Sequence, residues 1–265
     1  MLQNAVCVLI PHFNQPDTLT KSIASIGPDE KVDVLIIDDG SRTPLDEETI
    51  KSFARFKGQI FFFYFAQNQG LGTVLNEGCR WIQARGYRYI GRLDCGDTCH
   101  EKRFEIQHHF LENAPEIGLV GSWVVYQNQK GEEIMKLRLP TDPTTIQKYL
   151  PLYCPFVHPA VMFRVKVLQK VNYDPQLQIG EDYAFYYSLA RYFPMANLPL
   201  YLLHYQVDDN SISEKSRQKL LRQNLLTQLQ NFQMGIYPIA GILKTLALFL
   251  FSRKQMQQIR KILLR

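Results

Sequence analysis

Three short acidic segments stand out, each able to do chemistry at its spacing: Asp38-Asp39-Gly40-Ser41, Asp94-Cys95-Gly96-Asp97 and Gly180-Glu181-Asp182-Tyr183. Adjacent carboxylates can accept hydrogen bonds from a nucleobase N–H or a ribose hydroxyl. Two carboxylates spaced along one loop suit a hard divalent cation that bridges diphosphate oxygens. Such a cation neutralises charge on a nucleoside diphosphate leaving group. A carboxylate at a helix start could serve as a general base. Each segment also has a plainer reading. Asp, Gly and Ser suit turns, and acids at a helix N-terminus are favoured by the helix dipole.

The elements that must position these acids are legible in the apolar pattern. Ala5–Ile10, Val32–Ile37, Ile60–Phe65 and Tyr87–Leu93 are apolar runs of strand length. Between them, Asp17–Ile26, Glu47–Phe56 and Leu71–Arg85 have helical spacing. This alternation predicts an α/β fold, a parallel sheet with helices on both faces. In such sheets ligands bind at the carboxyl ends of the strands. Three of those ends are Pro11-His12-Phe13-Asn14 and the first two acidic segments. Further on, the pattern predicts a helix over Phe104–Leu111, a strand over Ile117–Tyr126 and a helix with loops over Pro140–Leu152. A strand over Val157–Phe163, a helix over Asp182–Phe193 and a strand over Leu198–Tyr205 follow.

Charge divides the chain. The net charge is +5, yet the ten Lys/Arg from Lys215 onward meet no acid, while all 25 Asp/Glu lie before them. The expected organisation is a catalytic domain over 1–213 and a basic, amphipathic helical tail over 214–265. Gly235–Phe251 is apolar but short of the about 20 residues a span needs, so the tail is expected to lie on a membrane surface. Nucleic acid is not an expected partner, because the basic residues alternate with aliphatics rather than stacking aromatics. Five cysteines with no repeated C-x-x-C pair exclude a zinc framework and fit reduced thiols. The first residues carry neither a positive n-region nor a cleavage site. The expected place of work is therefore the cytoplasm, peripheral on the inner face of the cell membrane.

Taken together, the segments resemble the family 2 glycosyltransferases, which invert the anomeric centre and adopt the GT-A fold, a Rossmann-like nucleotide-binding sheet. The resemblance runs through Ile10-Pro11-His12-Phe13-Asn14, Ile36-Ile37-Asp38-Asp39-Gly40-Ser41, and Asn68-Gln69-Gly70 with Asn76 and Gly78. It continues through Arg92-Leu93-Asp94-Cys95-Gly96-Asp97, Arg103, Gln107, Gly121-Ser122, His158–Arg164 and Glu181-Asp182. By that resemblance, Pro11, Phe13, Asn14, Asp38, Asp39, Asn68, Gly70, Arg92 and Asp94 bind the nucleotide-sugar, with Phe13 against the base. Asp94 and Asp97 hold Mn²⁺ or Mg²⁺. Asp182, with Glu181 beside it, is the catalytic base. The donor is expected to be a UDP-sugar and the acceptor a glycan, lipid-linked or part of a cell-surface polysaccharide.

Two departures bear on these roles. The usual loop carries an acid where Gly96 stands here, which puts metal binding in question. Relatives place a His near the metal where this chain has Asp208 and Asp209; His158 and His204 are other candidates. Gly96 also sustains an alternative, a degenerate member that binds nucleotide-sugar or a partner without catalysis. A sugar-nucleotide pyrophosphorylase is excluded, since no Gly-rich basic loop follows Ile10.

Overall fold

The structure is a computed structural model and describes residues 4–207 and 216–250. Strands β1 (Val6–His12), β2 (Val32–Asp38), β3 (Ile60–Tyr64) and β4 (Tyr89–Arg92) lie parallel in the order β3-β2-β1-β4. Every residue of β2 is buried, as expected of a strand covered on both faces. Side chains alternate between those faces. Leu9, Leu35 and Ile37 join one core with α3 (Leu71–Ala84) and α6 (Glu181–Leu189). Val8, Ile10, Val34 and Ile36 join the other with α1 (Pro16–Ser25) and α4 (Arg103–Asn113). Between β2 and β3 lies the short α2 (Glu47–Ser52), capped by Asp46.

Beyond β4 the sheet turns mixed. β8 (Met162–Arg164) runs antiparallel to β4 and to β6 (Leu119–Gln127). β9 (Met195–Gln206) runs parallel to β6, and the two-residue β5 (Thr98–Cys99) pairs antiparallel with β9. β7 (Glu133–Leu137) pairs with the second half of β6, and α5 (Pro143–Tyr149) follows it. The strand expected over Val157–Phe163 is only partly formed. Its first half is a 3₁₀ turn over His158–Ala160, with Pro159 near the start, and β8 begins at Met162. Pro159 has no N–H to give a ladder.

The tail begins with α7 (Arg217–Gln230) and α8 (Ile236–Leu250), an antiparallel hairpin in which Arg217 Nη2 donates to Leu248 O at 2.8 Å. The hairpin folds back on the domain. Gln228 Nε2 donates to Pro151 O (2.9 Å), Lys244 Nζ to Leu152 O (3.0 Å) and Arg191 Nη2 to Asn231 Oδ1 (2.6 Å). The expected boundary at residue 213 and the basic stretch from Ser252 lie outside the described residues. Among the described residues, no helix is long and apolar enough to cross a membrane.

Gly241 sets how closely α8 approaches. A Cβ there would lie 2.0 Å from Pro151 O. Gly241→Ala is expected to cost about 1–3 kcal/mol, seen as a fall in Tm of about 2–4 °C per kcal/mol. An unchanged Tm in a thermal scan would mean that α8 is not packed as part of the domain.

Candidate active site

The first cluster joins the ends of β1 and β2. In register, His12 stands opposite Asp38, and His12 Nδ1 donates to Asp38 Oδ2 at 2.7 Å. His12 Nε2 accepts from Gln15 N at 3.1 Å, which assigns the ring hydrogen to Nδ1. Asp38 Oδ1 accepts from Ser41 N (2.8 Å). Asn14 closes the corner in a left-handed conformation, φ 54°. Its N–H donates to Ser41 Oγ (2.8 Å), and its Oδ1 accepts from Arg42 N (2.9 Å). Phe13, between these tethered neighbours, stays 45% exposed, free to offer its ring to a flat ligand. Pro11 enters through its backbone, its carbonyl accepting from Cys95 Sγ.

Asp39 faces the other way. Its Oδ1 accepts from Gln69 N (2.7 Å), and its Oδ2 accepts from Gly70 N (3.0 Å) and Asn68 Nδ2 (2.8 Å). One buried carboxylate therefore holds the loop that starts α3, and Asn68 and Gly70 reach the site as its partners. Burial pushes the Asp39 pKa up, against the pull of those two amides. Gly40 allows the approach: a Cβ there would sit 2.4 Å from the backbone of Gln67.

At the end of β4, Arg92 is wholly buried and Nη2 reaches Asp94 Oδ1 at 2.5 Å. The Asp94 side chain keeps a third of its surface exposed. Below, Arg103 Nη2 donates to Arg92 O (2.7 Å), Arg103 Nε to Gln107 Oε1 (3.1 Å), and Gln107 Nε2 to Ala160 O (2.8 Å). Burial pulls the Arg103 guanidinium down to about 10. Gly96 has φ +95°, a conformation an L side chain adopts only with strain. A Cβ would meet nothing nearer than 3.7 Å, so backbone conformation rather than space accounts for glycine here. The turn leaves Asp97 buried, its Oδ1 accepting from Gln206 N at 2.8 Å. Asp97 Oδ2 is buried without a partner, and burial, then Asp94, raises its pKa well above the usual range.

The third segment opens α6. Glu181 is buried, with Oε1 3.8 Å from His158 Nδ1. Asp182 is only half-buried and accepts the N–H of Tyr183 at 2.7 Å. Burial raises both pKa values, and the charge of Asp94 adds to each. The base candidate and the β4 acid are therefore near enough to feel one another's charge. Of the two acids that open α6, Asp182 is the one that keeps exposed surface.

His158 is no metal ligand candidate in this arrangement: it is buried, its Nε2 bonded to Tyr173 OH at 2.8 Å. His204 is engaged by Gln127 Nε2 (3.1 Å). Asp208 and Asp209 lie outside the described residues, among which no group of three or more acids, His or Cys could hold a metal. Asp94 and Asp97 suit a cation all the same. The unpartnered Oδ2 of Asp97 is a buried donor, and Mg²⁺ is typically held by one or two carboxylates plus substrate phosphates. Sequence reasoning missed Tyr205 and Tyr126. Their rings stand 5.0 Å apart, and the Tyr205 phenol, pushed up by burial, also feels Asp97, Asp94 and Asp182. Their meeting depends on the β6–β9 register, which no local pattern encodes.

The model of glycosyl transferase family 2 matches residues 7–171. The chain belongs to that family. This family 2 glycosyltransferase is 32% identical over 223 residues to an uncharacterized glycosyltransferase of Methanocaldococcus jannaschii, covering 81% of this chain and 76% of that protein. It is 30% identical to a UDP-Gal:alpha-D-GlcNAc-diphosphoundecaprenol beta-1,3-galactosyltransferase of Escherichia coli, over 60% of this chain and 56% of that one. An amylovoran biosynthesis glycosyltransferase of Erwinia amylovora is also 30% identical, over 64% of this chain and 65% of that protein. S. aureus TarS 1-349 in complex with UDP-GlcNAc superposes with a TM-score of 0.67 at 15% identity, over 94% of this chain and 74% of that one. A mannosyltransferase of Pyrobaculum calidifontis, solved with GDP-Man and Mn²⁺, gives 0.63 at 14% identity, over 92% and 69%. The fold of the family 2 chain is GT-A, as its motifs imply.

Asp39→Ala is expected to release the Asn68–Gly70 loop. Hydrogen bonds to a charged group contribute about 1.5–3 kcal/mol each, so nucleotide affinity should fall about tenfold or more. Calorimetric titration of UDP measures it. Unchanged affinity would assign Asp39 to the loop alone.

Proposed function

We propose that this glycosyltransferase moves a sugar from a UDP-sugar to a hydroxyl of a lipid-linked glycan, inverting the anomeric centre, in the making of a cell-surface polysaccharide. The observation that carries the reading is the buried, unpartnered Asp97 Oδ2 in the loop that also carries the partly exposed Asp94, with the Asp182 carboxylate near enough to feel the charge of Asp94. The solved UDP-GlcNAc complex of a protein of this fold supports the donor class. The diphosphoundecaprenol substrate in the name of the Escherichia coli relative supports the acceptor class, and the amylovoran relative supports the process.

In this reading the bases of β1 and β2 hold the nucleoside. Phe13 flanks the base, while Asp38 and Asp39 keep the two loops around base and ribose. Arg92 orients Asp94 from below. Asp182 takes the acceptor proton as the acceptor oxygen bonds to the anomeric carbon and the bond to the diphosphate oxygen breaks. A single base suffices for one displacement. Glu181, turned toward His158, sets the start of α6 rather than meeting the acceptor. Asp94 and Asp97 would hold Mn²⁺ or Mg²⁺, which supplies charge neutralisation of the departing diphosphate. In this reading the protein works at the cytoplasmic face of the membrane, where a UDP-sugar and a lipid-linked acceptor meet.

Asp182→Asn is expected to lower transfer by about 10²–10⁴-fold with donor affinity nearly intact. Retention of more than about a tenth of the rate would move the base elsewhere, and full loss of donor binding would mean a structural role. The pH profile gives a second check. Asp182 must be ionised to act, and burial holds its pKa above the ordinary carboxylate value. In the wild type kcat therefore rises as pH climbs through that raised pKa and levels off above it.

Chelation with EDTA is expected to abolish transfer, and Mn²⁺ or Mg²⁺ to restore it. Asp97→Asn should raise the metal concentration needed for half-maximal rescue. Full activity after rigorous chelation would make this a metal-free member and leave Asp97 a structural acid.

A further inference from the structure

Helix α8 buries one face and leaves the other bare. Gly241 and Thr245 are buried, with Gly241 against the Pro151 carbonyl, and Lys244 ties to Leu152 O. On the outward side Ile236, Ile239, Leu243, Leu246 and Leu250 follow one another at helical spacing, Ile236 at 82% exposure and Leu243 at 60%. The turn before α8 adds Phe232 and Met234, the latter 87% exposed. On α7 the exposed stripe runs from Lys219 and Arg222 to Leu226 and Leu229. The hairpin therefore has an apolar tip and outer face, and its exposed cations Lys219 and Arg222 lie near the start of α7, by the far end of α8. No acid occurs anywhere from Lys215 to the end of the chain, and the 15 residues that follow Leu250 add Arg253, Lys254, Arg260, Lys261 and Arg265.

We infer that the outward face of α8, with the tip formed by Phe232, Met234 and Ile236, docks on an anionic lipid surface and is joined through α7 to the turn that opens α6. The charge pattern selects the occupant. An apolar helix face with Lys219 and Arg222 at one end, on a hairpin free of acids, suits the interface of an anionic bilayer, where the side chains enter the acyl boundary and the cations meet headgroups. A self-contact between two copies of this surface would bring like charges together.

The inner side of the hairpin supplies the link to the site. Gln228 bonds Pro151 O and lies 3.5 Å from Tyr183 OH, which itself donates to Leu150 O. The turn at Gly180, which opens α6 just before Asp182, packs against Gln223 and Asn224 of α7; a Cβ there would meet them at 3.1 and 3.3 Å. The lipid-facing helix and the base are thus separated by one packed layer. A lipid-linked hydroxyl would meet Asp182 at a height above the bilayer set by the hairpin. This deepens the acceptor reading above and rests on it.

The test uses the full chain in co-sedimentation with phosphatidylcholine vesicles, with and without phosphatidylglycerol. Wild type should sediment with the phosphatidylglycerol vesicles at low salt and be released as salt rises. Ile239→Glu/Leu243→Glu, both exposed and remote from the catalytic groups, should lower the partition coefficient by about tenfold or more. Its Tm and its hydrolysis of UDP-sugar without vesicles should match wild type. Should that variant unfold, Met234→Ser/Ile236→Ser carries the same comparison at the most exposed positions. Equal sedimentation of wild type and folded variant, or no sedimentation of wild type at low salt, would overturn the docking surface. So would a wild-type dimer that the variant converts to monomer without vesicles, which would make the face a self-contact. Sedimentation as expected with no UDP-sugar turnover would instead remove the donor reading and leave the docking surface standing.

Discussion

Acids gathered out of water repel one another and lose hydration, and the rest of this molecule is arranged around that cost. Asp38, Asp39, Asp97 and Glu181 are buried, and Asp94 and Asp182 are partly buried. Most are met by a donor fixed in the backbone or in a buried side chain. Asp39 has three N–H groups of one loop, Asp38 has His12 and an amide, and Asp94 has Arg92. Buried charge is tolerated where such partners exist, and these partners come from four different segments of the chain. The fold is what brings them within reach.

Arg92 is the hinge of that arrangement. A guanidinium with no exposed surface, one of its nitrogens unpartnered, is costly unless an anion stands over it. Asp94 is the anion that meets it. Arg103 and Gln107 lie beneath as struts, tying β4 to α4 and to the turn at Ala160. The same layer carries the sheet from its parallel half into its mixed half, since β8 follows that turn directly.

Much of this was legible in the residues. The first four strands were readable because each is apolar and bounded by turn residues, and the acids at their ends followed from that. Which of Glu181 and Asp182 keeps exposed surface was not legible in the pattern, although the resemblance already named Asp182 as the base. Adjacent helical residues point about 100° apart, so only packing decides which one meets solvent. β7 was hidden because Glu133–Leu137 is largely exposed and carries no apolar alternation. β5 has two residues, too few for any pattern. The helical tail was readable from its periodicity, while its fold-back depends on Gly241 meeting a carbonyl ninety residues earlier in the chain, a match between distant positions.

The grip on Asp97 has a consequence for how this surface can change over time. Its partner is the backbone amide of residue 206, which every amino acid except proline supplies. Replacement of the Gln206 side chain therefore leaves the anchorage in place. An insertion or deletion within β9 is another matter. A slip of one residue sends every side chain of a strand to the opposite face, which would turn Tyr205 away from the acids and bring a different amide to Asp97. Natural variation along this strand should be rich in substitutions and poor in length changes.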